Sequence, residues 1–368
     1  MTRDDKASTE VQFGAGRPFS LGVEEELFVV DPVTGHQANS AAAVIERVGE
    51  VQGSIAQELH ACQLELITDV YRTVGEAIDA LRSMRRSVSE LGAGLLGSGT
   101  HPSGAEGDAE ITDKERYERI RFLLGDATVT PVGGLHVHVG MPDAQTAIGA
   151  FNALREHLPL LQALAANSPF RHGRDTGLAS ARELSISGWP RSGVPRALRD
   201  FDDFCELSRL LAAAADVPDY TWFWWKLRPH PRLGTVEVRA LDAQGSLDDA
   251  GAIIALTHCL ARDAAEHPVV AGTPPELIEE GMFRAARFGV HASLPAPDGQ
   301  LRPVGELLVD AIRIASRHAA ELGCEAELET LPGLLLREGG AGRQRRMHEL
   351  AGMDALLRDL TALTVDHA

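Results

Sequence analysis

Only three lysines, Lys6, Lys114 and Lys226, occur in 368 residues, and acidic side chains outnumber basic ones 53 to 35, for a formal charge of −18. A chain this acidic repels nucleic-acid phosphates and anionic membranes, so neither is an expected partner and a small molecule is. The four cysteines, Cys62, Cys205, Cys259 and Cys324, form no CxxC pair. That excludes a zinc knuckle and a dithiol redox motif and leaves reduced, mostly buried thiols. No charged leader with an apolar core precedes the first strand and no long uncharged apolar run occurs, so the expected location is cytoplasmic. The absence of GxxxxGK[ST], HExxH and GxSxG removes P-loop nucleotide binding, zincin proteolysis and α/β-hydrolase chemistry. One GxGxxG match, Gly92 to Gly97, follows a helix and leads into a strand, the reverse of the dinucleotide-binding order.

What is present is the composition of a globular protein, 44% hydrophobic and 24% charged. Apolar periodicity places strands near 20–30, 55–68, 94–100, 128–141, 221–229 and 234–242. Helices are expected near 40–49, 74–91, 113–124, 144–165, 198–214, 247–266, 275–287, 305–322 and 344–363. Residues 1–17 are polar and aperiodic and read as a disordered tail. Residues 18–368 read as a single domain with a helical C-terminal third from about residue 246, because no repeat and no Pro/Gly/Ser linker divides them. Segment 168–195, which holds Arg171, Arg174, Arg182 and Arg191, is the longest without periodicity, and loops of that length are commonly functional or disordered.

Three of the strands carry charge on one face. Side chains alternate across a strand, so Glu24 and Glu26 share one side, as do His136 and His138, and Glu237 and Arg239. Paired hard ligands at alternate positions suit a divalent ion, and an oxygen-rich set favours Mg2+ or Mn2+ over Zn2+. Leu21, Val23, Leu27 and Val29 make the first strand mostly buried, where three consecutive carboxylates are costly without a cation or hydrogen bonds. Glu25 points the other way and is expected to be solvated or paired with an arginine. Each pattern also has a structural reading: an acidic edge, satisfied core histidines, or a cross-strand ion pair. Glu58 and Glu65 fall on opposite faces of an unbroken strand, so both reach one site only across a bulge or bend. Periodicity alone makes Glu65 buried and Glu58 a surface residue. Trp222, Trp224, Trp225 and Arg228 sit in an aromatic strand and read as sheet packing.

Taken in order, Gly22-Val-Glu-Glu-Glu-Leu27, Gly99-Thr-His-Pro102, Glu115-Arg-Tyr117, Gly134-Leu-His-Val-His-Val-Gly140 and Gly234-Thr-Val-Glu-Val-Arg-Ala-Leu-Asp242 resemble one family. It is the type 2 glutamate–cysteine ligase family of bacterial carboxylate–amine ligases, in the glutamine synthetase and glutamate–cysteine ligase superfamily. The resemblance covers residues 19 to about 289 well and the remainder loosely. It implies an α+β fold: a curved, funnel-like antiparallel sheet with helices packed on the outside, like the glutamine synthetase catalytic domain. It implies that Glu24, Glu26, Glu58, Glu65, His136 and Glu237 ring Mg2+ ions, with Mn2+ the alternative, and that a local bend separates Glu58 from Glu65. His138, Arg228 and Arg239 would face ATP phosphates, with Arg239 the catalytic stabiliser of the transferring group, and Arg182 and Arg287 would lie near the carboxylate substrate. The implied reaction is ATP-dependent amide formation through an acyl phosphate, with glutamate and cysteine the default substrates and weak activity on that pair consistent with a different true amine. A homodimer is a family-level expectation. The chain departs from the family at Gly281-Met-Phe283, where Asn-Arg-aromatic is usual before Ala285, Arg287 and Gly289. That departure keeps two other readings open: a catalytically silent binding or regulatory protein, and a metal-dependent amide hydrolase.

Overall fold

Period-two alternation divides the main sheet into an apolar face and a charged one. The computed structural model describes residues 11–105, 107–269 and 272–366. In chain order its strands are β1 (Leu21–Val30), β2 (Ser54–Gln57), β3 (Gln63–Ile67), β4 (Gly94–Leu96), β5 (Gly134–Gly140), β6 (Phe170–Arg171), β7 (Arg174–Asp175), β8 (Leu227–His230), β9 (Thr235–Asp242), β10 (Ser293–Pro295) and β11 (Leu301–Pro303). Seven of them form one antiparallel sheet in the order β2-β3-β1-β5-β9-β8, with β4 paired to the end of β1; β6–β7 and β10–β11 are separate hairpins.

Leu21, Val23, Leu27 and Val29 of β1, Leu64 and Leu66 of β3, Leu135 and Val137 of β5 and Val238 of β9 are all but fully buried on the apolar face. Each such burial stabilises the fold by about 1.5–3 kcal/mol. Helix Leu247–Glu266 packs against β5, and helices Ala144–Leu154 and Leu158–Ala165 against β9; around the first of these lie the helices Val74–Glu90, Val304–Ala315 and Glu325–Leu336. Helix Val74–Glu90 starts on a capping box in which Thr73 Oγ1 accepts from Glu76 N and the Glu76 carboxylate accepts from Thr73 N. Its Ala77, Leu81, Met84 and Val88, spaced three and four apart, form the buried stripe.

That helix also resolves the middle glutamate of the first strand. Glu25 is on the apolar face, fully buried, and Arg85 grips it with Nε to Oε2 at 3.0 Å and Nη2 to Oε1 at 2.7 Å. The remaining guanidinium hydrogens go to the carbonyls of Gly245 at 2.7 Å, Gln244 at 2.8 Å and Thr364 at 3.3 Å. Of the two expectations, pairing is the one realised.

Several boundaries differ from the sequence reading. The strand expected over 55–68 is two, β2 and β3, joined by a turn in which His60 ring nitrogens meet Thr128 O at 2.7 Å and Gln63 Oε1 at 3.2 Å. The aromatic strand expected over 221–229 begins instead as a 3-10 turn, Tyr220–Trp222, because the Asp219 carboxylate accepts from Thr221 N at 2.8 Å; only Leu227–His230 is strand. Segment 168–195 holds the β6–β7 hairpin and a helix, Ala181–Ser187, and an unexpected helix spans Glu325–Leu336. Of the tail expected over 1–17, residues 1–10 lie outside the described residues, while Gln12 N donates to Pro231 O at 2.9 Å and Gly14 N to Met141 O at 3.0 Å. Among the described residues no helix is long and apolar enough to cross a membrane.

Candidate active site

The charged face of the sheet opens into one cavity. Glu24 and Glu26 of β1, Glu65 of β3, His136 and His138 of β5, Arg228 of β8, and Glu237 and Arg239 of β9 all line it. Strand register explains their meeting. Glu24 stands opposite His136 and Glu26 opposite Glu65, and Glu237 has His138 on one side and Arg228 on the other. Between β5 and β9 the register shifts at Leu135 and Val137, an irregularity of the kind that re-aims side chains beside active sites. Glu58 enters from the turn after β2: the chain reverses and pairs Gln57 with Leu64, so two carboxylates that would oppose each other on one strand line the same cavity. Gly134 keeps the floor open, since a Cβ there would lie 2.7 Å from Arg182 Nη2, 2.9 Å from Glu26 Oε2 and 3.1 Å from His136 Nε2.

Contacts run continuously along the wall. His136 Nδ1 is 3.0 Å from Glu24 Oε2 and its Nε2 3.7 Å from Glu26 Oε1. His138 Nε2 is 3.3 Å from Glu24 Oε1 and 3.6 Å from Glu237 Oε1. Arg228 holds Glu237 through Nε at 2.9 Å and Nη2 at 2.8 Å, and Arg239 Nη1 contacts its other oxygen.

The carboxylates divide into two electrostatic classes. Burial would raise Glu237, but Arg228, Arg239 and His138 outweigh it and hold this acid far below the usual carboxylate range. Glu24 is likewise held low, His138 and His136 overcoming the cost of burial. Glu58 behaves oppositely: burial and the neighbouring Glu26 push it up to about 7. Glu65 is pushed well up by burial and by Glu58, Glu24 and Glu26. Negative charge is therefore crowded on the β1–β3 side without enough cation to balance it. Two sets of ligand atoms, Glu24–His136–Glu237 and Glu26–Glu65–His136, each lie within 4.8 Å of one another. Hard oxygens, imidazoles and uncompensated charge together fit a divalent ion of the Mg2+ or Mn2+ type.

Of the arginines in segment 168–195, only Arg182 lines the cavity. It is 3% exposed, donates Nη2 to Arg239 O at 3.1 Å and leaves its buried Nε without a partner among the described residues. Arg171 bonds Ser185 Oγ at 3.1 Å, Arg174 is exposed on β7, and Arg191 lies over the Trp224 ring at 5.4 Å. Arg287 does not line the cavity either. Helix Pro275–Phe288 turns Ile278, Met282 and Ala285 inward, which leaves Arg287 exposed and donating to Gly177 O. The same packing accounts for Gly281, where a Cβ would approach Pro159 Cγ to 2.9 Å; the Gly281-Met282 departure lies in a helix contact and lines no part of the cavity.

Sequence reasoning missed several lining residues: Glu183, Lys226, Trp189, Trp224, Arg116 and Tyr117. Lys226 carried a signal, being one of three lysines and two positions from Arg228 on the approach to β8. Asp242 was missed as an anchor. Its carboxylate accepts from Asn167 N at 2.9 Å, Ser168 Oγ at 2.6 Å and Ser180 Oγ at 2.8 Å, which fixes the start of the helix that carries Arg182.

Such a sheet, folded around inward carboxylates, imidazoles and guanidiniums, is the fold of the carboxylate–amine ligases. A glutamate–cysteine ligase from Francisella tularensis, solved in complex with AMP, matches with a TM-score of 0.71 at 13% identity, over 95% of this chain and 89% of that one. A bifunctional glutathione synthetase from Pasteurella multocida matches at 0.66 and 20% identity, over 95% of this chain and 51% of that one. In sequence, a Rubrobacter xylanophilus protein with the provisional name glutamate–cysteine ligase 2-3 is 40% identical over 351 residues, 91% of this chain and 94% of its own. A Mycolicibacterium smegmatis relative, provisionally glutamate–cysteine ligase 2-1, is 35% identical over 357 residues, 93% of this chain and 94% of its own. The model of glutamate–cysteine ligase family 2 matches residues 20–361, and the chain belongs to that family.

Proposed function

We propose that this ligase uses ATP and Mg2+ to activate a carboxylate as an acyl phosphate and passes the acyl group to an amine; glutamate and cysteine are the family's default pair, and weak activity on that pair is compatible with a different true amine. The observation that carries the reading is the asymmetry of the cavity. One wall holds carboxylates raised by burial and by one another, and the other holds Glu237 gripped by two arginines.

Glu24, Glu26, Glu58, Glu65, His136 and Glu237 would hold the metal. When bound, Mg2+ neutralises phosphate charge and orients the β- and γ-phosphates for in-line transfer. His138 is pulled upward by Glu237 and Glu24 against the effect of burial, so it presents an N–H to a phosphate oxygen. Arg228 and Arg239 face the same charge, and Arg239 stabilises the transferring group because Glu237 fixes its guanidinium in place beforehand. Arg182, with a buried N–H unsatisfied, receives the substrate carboxylate. A carboxylate oxygen attacks the γ-phosphorus and ADP leaves. The amine then attacks the carbonyl carbon, phosphate leaves, and the amine gives up one proton as the amide forms. With Gly281-Met282 outside the cavity lining, the silent reading loses the observation that favoured it.

Isotope transfer tests the route. A donor carboxylate labelled with oxygen-18 should deliver one labelled oxygen to the released phosphate. Unlabelled phosphate alongside amide product would exclude the acyl phosphate.

A further inference from the structure

At one end of the cavity lies a charged pair that the reaction described above does not use. Lys226 and Glu183 are 3% and 5% exposed and form an ion pair in the cavity wall. Glu183 Oε1 also accepts from Ser187 Oγ at 3.2 Å, and the Lys226 carbonyl accepts from Arg239 N at 2.9 Å, so both residues are fixed to the frame of the site. A buried ion pair is a poor device for stability, because apolar residues of similar volume usually serve as well or better. Its place inside a cavity therefore asks for a ligand. The Lys226 ammonium has three donors, and among the described residues a single carboxylate oxygen is its side-chain partner.

The surroundings say which ligand. Lys226 sits just ahead of β8, its carbonyl on Arg239 N, while Arg228 and His230 alternate within that strand and line the same cavity. His138 packs edge-on to His230, its ring centroid 5.9 Å away, and His230 pairs with Thr235 while Lys226 meets Arg239, which sets Lys226 beyond the other end of β8 from the proposed phosphate-facing histidine. Beside Lys226 the wall becomes aromatic and aliphatic: Trp189 and Trp224 meet edge to face with centroids 5.1 Å apart, and Ile186 and Ile120 line the same cavity. Trp189 is held in place by its Nε1–H, which donates to Ala127 O at 2.9 Å. A thiol-bearing methylene would cover little of such a wall, whereas a ring or branched chain would cover much of it.

We propose that Lys226, held by Glu183 beside the Trp189–Trp224 wall, selects the amine substrate: an α-amino acid with a bulky apolar or aromatic side chain, its carboxylate on the Lys226 ammonium. This rests on the ligase reading, with Arg182 receiving the donor. Lys226 is thus a specificity residue, and no bond changes at it.

Calorimetric titration of the full chain, with glutamate, Mg2+ and a non-hydrolysable ATP analogue present, tests the proposal apart from turnover. Phenylalanine should bind about tenfold or more tighter than cysteine and than phenethylamine, the corresponding amine without a carboxylate. Lys226→Gln strands Glu183, so the paired variant Glu183→Gln/Lys226→Gln serves as the folded comparison. It should bring phenylalanine down to the level of phenethylamine and leave glutamate affinity within about twofold. Trp224→Ala should weaken phenylalanine and leave cysteine unchanged. Tighter binding of cysteine, equal weakening of phenylalanine and phenethylamine in the paired variant, or a loss of glutamate affinity there would each overturn the proposal. ADP release with glutamate and some amine, without phenylalanine binding, leaves the ligase standing and removes this inference. No ADP from any pairing refutes the ligase itself, and the binding comparison still decides the subsite.

Discussion

Arg85→Met separates the structural glutamate of the first strand from its two neighbours. The substitution leaves Glu25 without exposure and without a cation, and it also abandons the carbonyls of Gln244 and Gly245. Breaking a buried pair by removing one partner costs about 3–5 kcal/mol. Against a total stability of about 5–15 kcal/mol, that is a large share. With about 2 cal/mol/K of unfolding entropy per residue, a loss of about 4 kcal/mol in a chain of 368 residues lowers Tm by about 5 °C. The double variant Glu25→Leu/Arg85→Met removes both charges and should recover most of the loss, to within about 2 kcal/mol of the parent. Denaturant unfolding of the parent, both single variants and the double variant gives the interaction energy directly. A cost under about 1 kcal/mol for Arg85→Met alone would refute the reasoning, as would a double variant no more stable than the worse single one.

Three other outcomes follow from the same geometry. Because Glu58 sits at about 7 in the metal-free protein and Glu65 is raised as well, Mg2+ must displace protons below that pH; its apparent affinity should fall by at least about tenfold per pH unit below 7 with measurable proton release, and a flat profile would remove Glu58 from the ligand set. His101 is 5% exposed, accepts from Gly104 N at 3.0 Å, and is lowered by burial to about 4. The unfolded imidazole titrates near 6.5, so the unfolded state binds more protons between the two values; stability is full above about 6.5 and falls by up to about 3 kcal/mol towards pH 4. His101→Gln should flatten that slope in pH-dependent unfolding, and an unchanged slope would contradict the assignment. Gly134→Ala should lower turnover by about a hundredfold or more while leaving Tm near the parent value, because its Cβ enters the cavity among Arg182, Glu26 and His136 and not the core; an active Gly134→Ala enzyme would show that this floor need not stay open.

Alternation made much of the site legible in the sequence. Glu24 with Glu26, His136 with His138, and Glu237 with Arg239 fall on one face because a strand has period two, and they line one cavity in the structure. Glu58 was not legible from period alone, since the turn that rescues it is held by His60 bonds to Thr128 and Gln63, and the first of these partners is remote in sequence. The 3-10 turn at Tyr220–Trp222 was hidden for a similar reason: Asp219 competes locally for the backbone of a segment whose composition reads as strand. Arg182 and Arg287 could not be told apart by residue type. What separates them is the rotation of their helices, one anchored by Asp242 through Ser180 and the other by the apolar stripe of Ile278, Met282 and Ala285. Lys226 and Glu183, far apart in the chain, became a pair only in three dimensions.

The proposed function requires the cavity to couple ATP cleavage to amide formation. Steady-state ADP release, measured across a panel of carboxylates and amines with and without Mg2+, tests it most directly. Release should require the metal and both substrates and should fall by about a hundredfold or more in Glu24→Gln with the fold intact. Absence of ADP under every pairing, amide cleavage without ATP, or full activity in Glu24→Gln would contradict it.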